Sequence, residues 1–149
     1  YPPLSNWGQL ATMTISYGHG ITVTPLHLAS SYATLVNGGL YRPPTLLKRD
    51  SVPEGRRVFT EETSLMLRKL LRLTVTNGTA EKNVNGRYVR GANVVTFAAA
   101  FPMDAPRYVV VAMVDDPRGS KATYGFRTAG MVMAPVMNNI VTRIGPILG

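Results

Sequence analysis

Apolar positions along this chain follow two periods, and the breaks between them mark its elements. Between Thr24 and Asn37, Leu26, Ala29, Ala33 and Val36 form one stripe at helical spacing, while Leu28, Tyr32 and Leu35 form a second. Both ends are written locally. Thr24 can cap, Pro25 suits the first helical position, and Asn37-Gly38-Gly39 supplies a left-handed stop. The pattern predicts a helix over Pro25–Asn37, apolar on nearly all sides and therefore buried, with His27 as a hydrogen-bonded core residue. A second helix opens after Thr60, where Glu61 and Glu62 suit the positive end of the helix dipole. Its stripe of Met66, Leu70 and Leu73 with Leu67 and Leu71 is expected to face inward, with Arg68, Lys69 and Arg72 opposite.

The pattern then changes period. Asn93–Phe101 and Arg107–Val114 are near-continuous apolar runs joined by Pro102-Met103-Asp104-Ala105-Pro106. Their length, valine content and bounding prolines predict strands, paired as an antiparallel hairpin. Apolar residues on both faces imply helices on each side. Ahead of them Asn85-Gly86 reads as a two-residue hairpin turn. A last helix is expected from Met131 to Ile144, with Met133, Val136, Met137, Ile140, Val141 and Ile144 inward and Pro135 bending it or marking its start. Tyr1–Gln9 reads as loop with Trp7 packed, and Leu40–Arg57 as a surface connection rich in proline and charge. Asp115-Asp116 ends a strand rather than forming an acid–base or metal site, since nothing nearby completes one. These elements amount to an α+β domain.

Composition narrows the function classes. A 149-residue chain that is 45% hydrophobic can bury one core. No apolar run in the sequence approaches the roughly 18 to 20 residues of a membrane helix, and no leading segment resembles a signal peptide. With no cysteine and only His19 and His27, neither disulfide nor zinc chemistry is expected, and no metal site is assigned. The net charge of +8 comes from dispersed cations that do not interleave with aromatic residues, so no nucleic-acid partner is expected. The glycines Gly18 and Gly20 in Tyr17-Gly18-His19-Gly20 permit a tight turn at the mouth of the first helix, an arrangement suited to a site.

The run S-Y-G-H-G-I-T-V-T-P-L-H-L-A from Ser16, followed by Y-A-T-L-V-N-G-G-L-Y-R-P-P, closely resembles the transpeptidase domain of class B penicillin-binding proteins, of the septal cell-division type. The likeness continues through Glu61–Leu71 and Phe97–Val110, in the family's order. It implies a penicillin-binding, β-lactamase-like fold of which this chain is the C-terminal part. It also implies a parent enzyme that cross-links peptidoglycan stem peptides through an acyl-serine, needs no cofactor and is blocked by β-lactam antibiotics. The parent would be anchored in the inner membrane, with its catalytic domain in the periplasm and cell-division membrane proteins as partners.

Enzymes of this kind carry S-x-x-K, S-x-N and K-T-G motifs. Serine needs a neighbouring base, and the acyl oxyanion needs preorganised donors. Ser5, Ser16, Ser30, Ser31, Ser51, Ser64 and Ser120 all lack a lysine three residues on, and none opens S-x-N. Family order puts both motifs before Tyr1, so no catalytic residue is assigned within this chain. The third motif is altered. Thr76-Asn77-Gly78-Thr79-Ala80-Glu81-Lys82 stands where the family runs from a helix end through a polar loop into K-T-G-T-A-E-K. Gly78 and Thr79 fit both segments, and the motif lysine is absent. The economical explanation is a loop and most of the motif missing at about 79–80. On the strand, Thr79 resembles the threonine that binds a substrate carboxylate; at the helix end it binds nothing. Gly78 and Thr79 are therefore the substrate-binding candidates, joined by Tyr17, Gly18 and His19 of the glycine turn. Two completions of the protein follow: a missing N-terminal half, or a second polypeptide that finishes the sheet. The competing reading is a catalytically inert transpeptidase-like interaction module.

Overall fold

In the computed structural model the described residues are 7–16, 20–77 and 94–148. Four helices, α1 (Gln9–Ser16), α2 (Pro25–Val36), α3 (Glu61–Thr76) and α4 (Ala129–Leu148), accompany strands β1 (Leu40–Tyr41), β2 (Arg56–Arg57), β3 (Val94–Phe101) and β4 (Tyr108–Asp115). The expected hairpin is present. β3 and β4 pair antiparallel over their full lengths, from Val94 opposite Asp115 to Phe101 opposite Tyr108. Helices α2 and α4 both pack on it and, among the described residues, do not touch each other. The core is Val36 of α2, Val95 of β3, and Met133 and Met137 of α4.

Local chemistry sets the helix boundaries as the sequence implies. Thr24 and Thr60 sit in extended conformation, and their side chains accept from the His27 and Thr63 backbone N–H groups. α2 ends in a turn built from side chains as well as glycine. The Leu40 N–H donates to Asn37 Oδ1 at 3.0 Å, Asn37 Nδ2 donates to the Leu40 carbonyl at 2.7 Å, and Arg57 Nη1 donates to the Gly38 and Phe59 carbonyls, each at 3.1 Å. Gly39, at φ +82°, is obligatory here: a Cβ would stand 2.3 Å from the Phe59 carbonyl oxygen.

Several expectations are corrected. α2 is not buried throughout: His27 is exposed, and Leu26 is 53% exposed. Only Thr34 and Val36, near its C-terminal end, are buried. The expected inward stripe of α3 divides: Leu67 and Leu71 are half-buried as expected, beside buried Ser64 and half-buried Arg68, while Met66, Leu70 and Leu73 are exposed. Ser64 fixes that face by bonding to the end of α2. α4 begins at Ala129, so Pro135 lies inside it rather than at its start, and Val136 is exposed. The expectation that no stretch approaches membrane-helix length is also corrected: by length and composition alone the 20 residues of α4 could cross a membrane, although α4 packs on β3 and β4 here. Two elements went unpredicted: helix α1, and the two-rung ribbon pairing Leu40 with Arg57 and Tyr41 with Arg56. Asn85-Gly86 lies outside the described residues.

Candidate functional site

The five candidate binding residues, Tyr17, Gly18, His19, Gly78 and Thr79, all lie outside the described residues. What the structure defines is the frame that carries them. Residues 17–19 are bracketed by Ser16, the last residue of α1, and by Gly20 at φ +79°. Residues 78–93 run from Asn77, the C-cap of α3, to Val94, the first residue of β3.

Several of the described hydroxyls are committed to structure. Ser64 Oγ, 1% exposed, donates to the Leu35 carbonyl at 2.6 Å and accepts from the Gly38 N–H at 3.1 Å. Ser16 and Ser31 bond back to carbonyls of their own helices, at Met13 and His27. Ser120 and Thr123 close a turn on each other. Among the described residues no serine pairs with a lysine, and no three acidic or histidine side chains gather where a metal could bind. Asp116 makes an exposed ion pair with Arg127 at 3.8 Å, while Asp115 is the last residue of β4.

The frame is also uncovered. Four apolar side chains are buried among the described residues, whereas twenty large ones are exposed, including Leu65, Met66, Leu70 and Leu73 along α3. A sheet of two strands with so small a core is marginal by itself. Sequence reasoning missed one member of this frame, Arg68, by placing it on the solvent side. Its signal is visible in hindsight: Ser64, Leu67, Arg68 and Leu71 share one helical stripe.

Comparison with known proteins identifies the frame. Residues 2–140 match the family described as penicillin binding protein transpeptidase domain, and the chain belongs to that family. The transpeptidase domain of penicillin-binding protein 3 from Burkholderia pseudomallei has the same fold, with a TM-score of 0.82 at 29% identity over 100% of this chain and 50% of that one. The probable peptidoglycan D,D-transpeptidase FtsI of Caulobacter vibrioides is 36% identical over 96% of this chain and 29% of its own length. FtsI of Escherichia coli is 32% identical over 95% of the chain and 26% of its own length. The chain thus spans under a third of these curated relatives. The alignments are longer than the chain they cover. For the Caulobacter protein, 96% of 149 residues is about 143 against 171 aligned positions, leaving about 28 without a counterpart here. For E. coli FtsI the difference, about 142 against 160, is about 18.

Proposed function

We propose that this chain is the C-terminal portion of a serine-type D,D-transpeptidase, whose parent cross-links peptidoglycan stem peptides through an acyl-serine and is acylated by β-lactams. The observation that supports it most is the family match over nearly the whole chain, combined with coverage of only half of the B. pseudomallei transpeptidase domain. In this reading the nucleophilic serine and its lysine, together with the S-x-N, lie in the other half, before Tyr1. Gly78 and Thr79 bind the substrate carboxylate, with Tyr17, Gly18 and His19 lining the approach. A carboxylate at that place is what a threonine hydroxyl and backbone N–H groups can hold. The naming of relatives as transpeptidases favours an enzyme over an inert interaction module. For the parent we propose the setting that the family resemblance implies: a membrane-anchored protein with its catalytic domain in the periplasm, working with division proteins.

Labelling of native cells with fluorescent penicillin, followed by capture with an antibody against residues 42–55, tests this. The captured polypeptide is expected to carry the label on a serine in S-x-x-K, while the purified 149-residue chain takes none. An unlabelled captured polypeptide, or a labelled isolated chain, overturns the proposal.

A further inference from the structure

The two strands of the β1–β2 ribbon close a loop, residues 42–55, whose base is tied and whose tip is bare. At the base Leu40 pairs with Arg57 and Tyr41 with Arg56. Arg42 Nε donates to the Pro53 carbonyl at 3.1 Å, and the Arg56 guanidinium lies 5.8 Å from the centre of the Tyr41 ring. Arg57 holds the Gly38 and Phe59 carbonyls, which fastens the ribbon to the segments that end α2 and open α3. At the tip the Leu47 N–H donates to Thr45 Oγ1 at 3.0 Å, a local turn that leaves Leu46 100% exposed and Leu47 80%. Val52, on the returning limb, is 76% exposed. A single exposed leucine is ordinary on a protein surface. An adjacent pair on a tip whose limbs are cross-linked is apolar surface held out toward the surroundings.

Positive charge surrounds that surface. Lys48 and Arg49 follow the leucines directly, and Arg42, Arg56 and Arg57 stand at the base, against the carboxylates of Asp50 and Glu54. Lys48 and Arg49 are exposed, and among the described residues no ion pair neutralises them. Once Leu46 and Leu47 enter an apolar layer, Lys48 and Arg49 follow within about 4–8 Å of chain, the depth at which phospholipid headgroups lie. Aliphatic side chains then supply the insertion and cations the attraction to anionic headgroups. We infer that the 42–55 loop docks on the surface of an anionic phospholipid bilayer, with Leu46 and Leu47 at the boundary of headgroups and acyl chains and Lys48 and Arg49 paired with headgroup phosphates. Charge complementarity and the projecting shape choose this occupant. A protein partner would need a pocket matched to both leucines, whereas a fluid bilayer opens around them. Because the ribbon is fastened beside α2 and α3, docking the tip also sets how the domain is turned toward the bilayer. The inference involves no acyl transfer and needs only a bilayer within reach, which the proposed membrane-anchored setting supplies.

The test is hydrogen exchange, read by mass spectrometry, of the whole polypeptide that carries this chain. It is reconstituted with vesicles of phosphatidylcholine and phosphatidylglycerol, or of phosphatidylcholine alone. A polypeptide without an anchor meets the same vesicles from solution, so the readout survives failure of the proposed setting. Penicillin labelling of the same sample reports on the transpeptidase reading separately. A tip inserted about nine-tenths of the time exchanges its amides about tenfold more slowly. That slowing is expected in peptides covering Thr45–Val52 with the anionic vesicles, weakening as salt is added, and is absent with phosphatidylcholine alone. Leu46→Ser with Leu47→Ser, and separately Lys48→Gln with Arg49→Gln, should each abolish it. All four side chains are exposed, so the substitutions leave the fold as it is. Equal exchange with the two kinds of vesicle overturns the inference. So does slow exchange that persists in the Leu46→Ser, Leu47→Ser protein, because the loop is then covered by the rest of the polypeptide. Slowing that requires an added periplasmic protein fraction overturns it as well, in favour of a protein partner.

Discussion

Replacing Ser64 by alanine should cost this protein about 2 kcal/mol, for reasons that can be followed atom by atom. α2 ends at Val36, and the carbonyls of its last turn have no partner within the helix. Ala33 and Thr34 find theirs in the N–H groups of Asn37 and Gly39. Leu35 finds its partner in Ser64 Oγ at 2.6 Å, and the same oxygen accepts the Gly38 N–H at 3.1 Å. Alanine removes both bonds and leaves no room for water to enter, since Ser64 is 1% exposed. Stranding one buried donor and one acceptor costs about 1–3 kcal/mol apiece. Gly38 is half-buried and recovers part of its share from solvent, which brings the sum down to about 2 kcal/mol. Urea denaturation should show a lower midpoint at unchanged slope, because the surface exposed on unfolding stays the same. Thr63→Ala next to it, exposed and bonded only to Thr60, should cost less than about 0.5 kcal/mol. Equal midpoints for Ser64→Ala and the parent would refute the buried-bond reasoning.

Two further outcomes follow from the same geometry. Gly39→Ala should unfold the protein or lower stability by about 3 kcal/mol or more through the clash with the Phe59 carbonyl, whereas Gly38→Ala, with only Glu61 Cγ at 3.9 Å, pays the left-handed backbone cost of about 1–2 kcal/mol; comparable thermal midpoints for the two would contradict this. The isolated 149-residue chain should bind a hydrophobic dye and self-associate through its exposed apolar faces, and solution scattering giving a compact monomer of radius of gyration about 15 Å would show that the hairpin needs no further cover.

What was legible in the sequence was what local bonding decides. Thr24 and Thr60 cap because a hydroxyl on the residue just before a helix has the backbone N–H three residues on within reach whatever the rest of the chain does. The β3–β4 hairpin was legible because two valine-rich runs with proline between them admit few other arrangements. The inward face of α3 was legible only in part, at Leu67 and Leu71. Two faces are available to that helix, one built on Met66, Leu70 and Leu73 and one on Ser64, Leu67 and Leu71, and hydrophobicity alone prefers the first. Bonds from Ser64 to residues 26 and 29 positions away select the second. The β1–β2 ribbon has only two rungs, too short for any periodicity to register, and its pairing is set by Gly55 lying against Leu40 and Arg42. α1 was missed because its first residues continue a proline-led stretch and its helix bonds are supplemented by Thr12, Thr14 and Ser16 hydroxyls turned back on the backbone. The candidate binding residues rest on the glycine turn for Tyr17, Gly18 and His19 and on family resemblance for Gly78 and Thr79, and all five lie outside the described residues.

The unmatched alignment positions give the junction at Thr76–Ala80 its weight. About 28 positions of the Caulobacter relative and about 18 of the E. coli one have no counterpart within the stretch this chain covers. Gly78-Thr79 fits two family segments normally held apart by a loop, so this junction is where a loss of that size is most economically placed. We propose that it removes a polar loop together with the lysine of the K-T-G motif. Trypsin decides whether the polypeptide itself carries the loss. Cleavage after Arg72 and Lys82 of the sequence as written releases Leu73–Lys82, L-T-V-T-N-G-T-A-E-K, as one peptide. If the native polypeptide retains the loop and its lysine, that peptide is absent and Thr-Gly-Thr-Ala-Glu-Lys, released by cleavage after the motif lysine, is found instead. If L-T-V-T-N-G-T-A-E-K is recovered in full yield, the loss is real. Thr79 would then stand without the ammonium group that the family places two residues before the corresponding glycine-threonine step. A β-lactam carboxylate would have lost its nearest cation, and acylation of the parent should be correspondingly slow. Rapid acylation of a protein that yields the short peptide would show that a cation from elsewhere takes the lysine's part, and would sink the assignment of Thr79 to the strand motif.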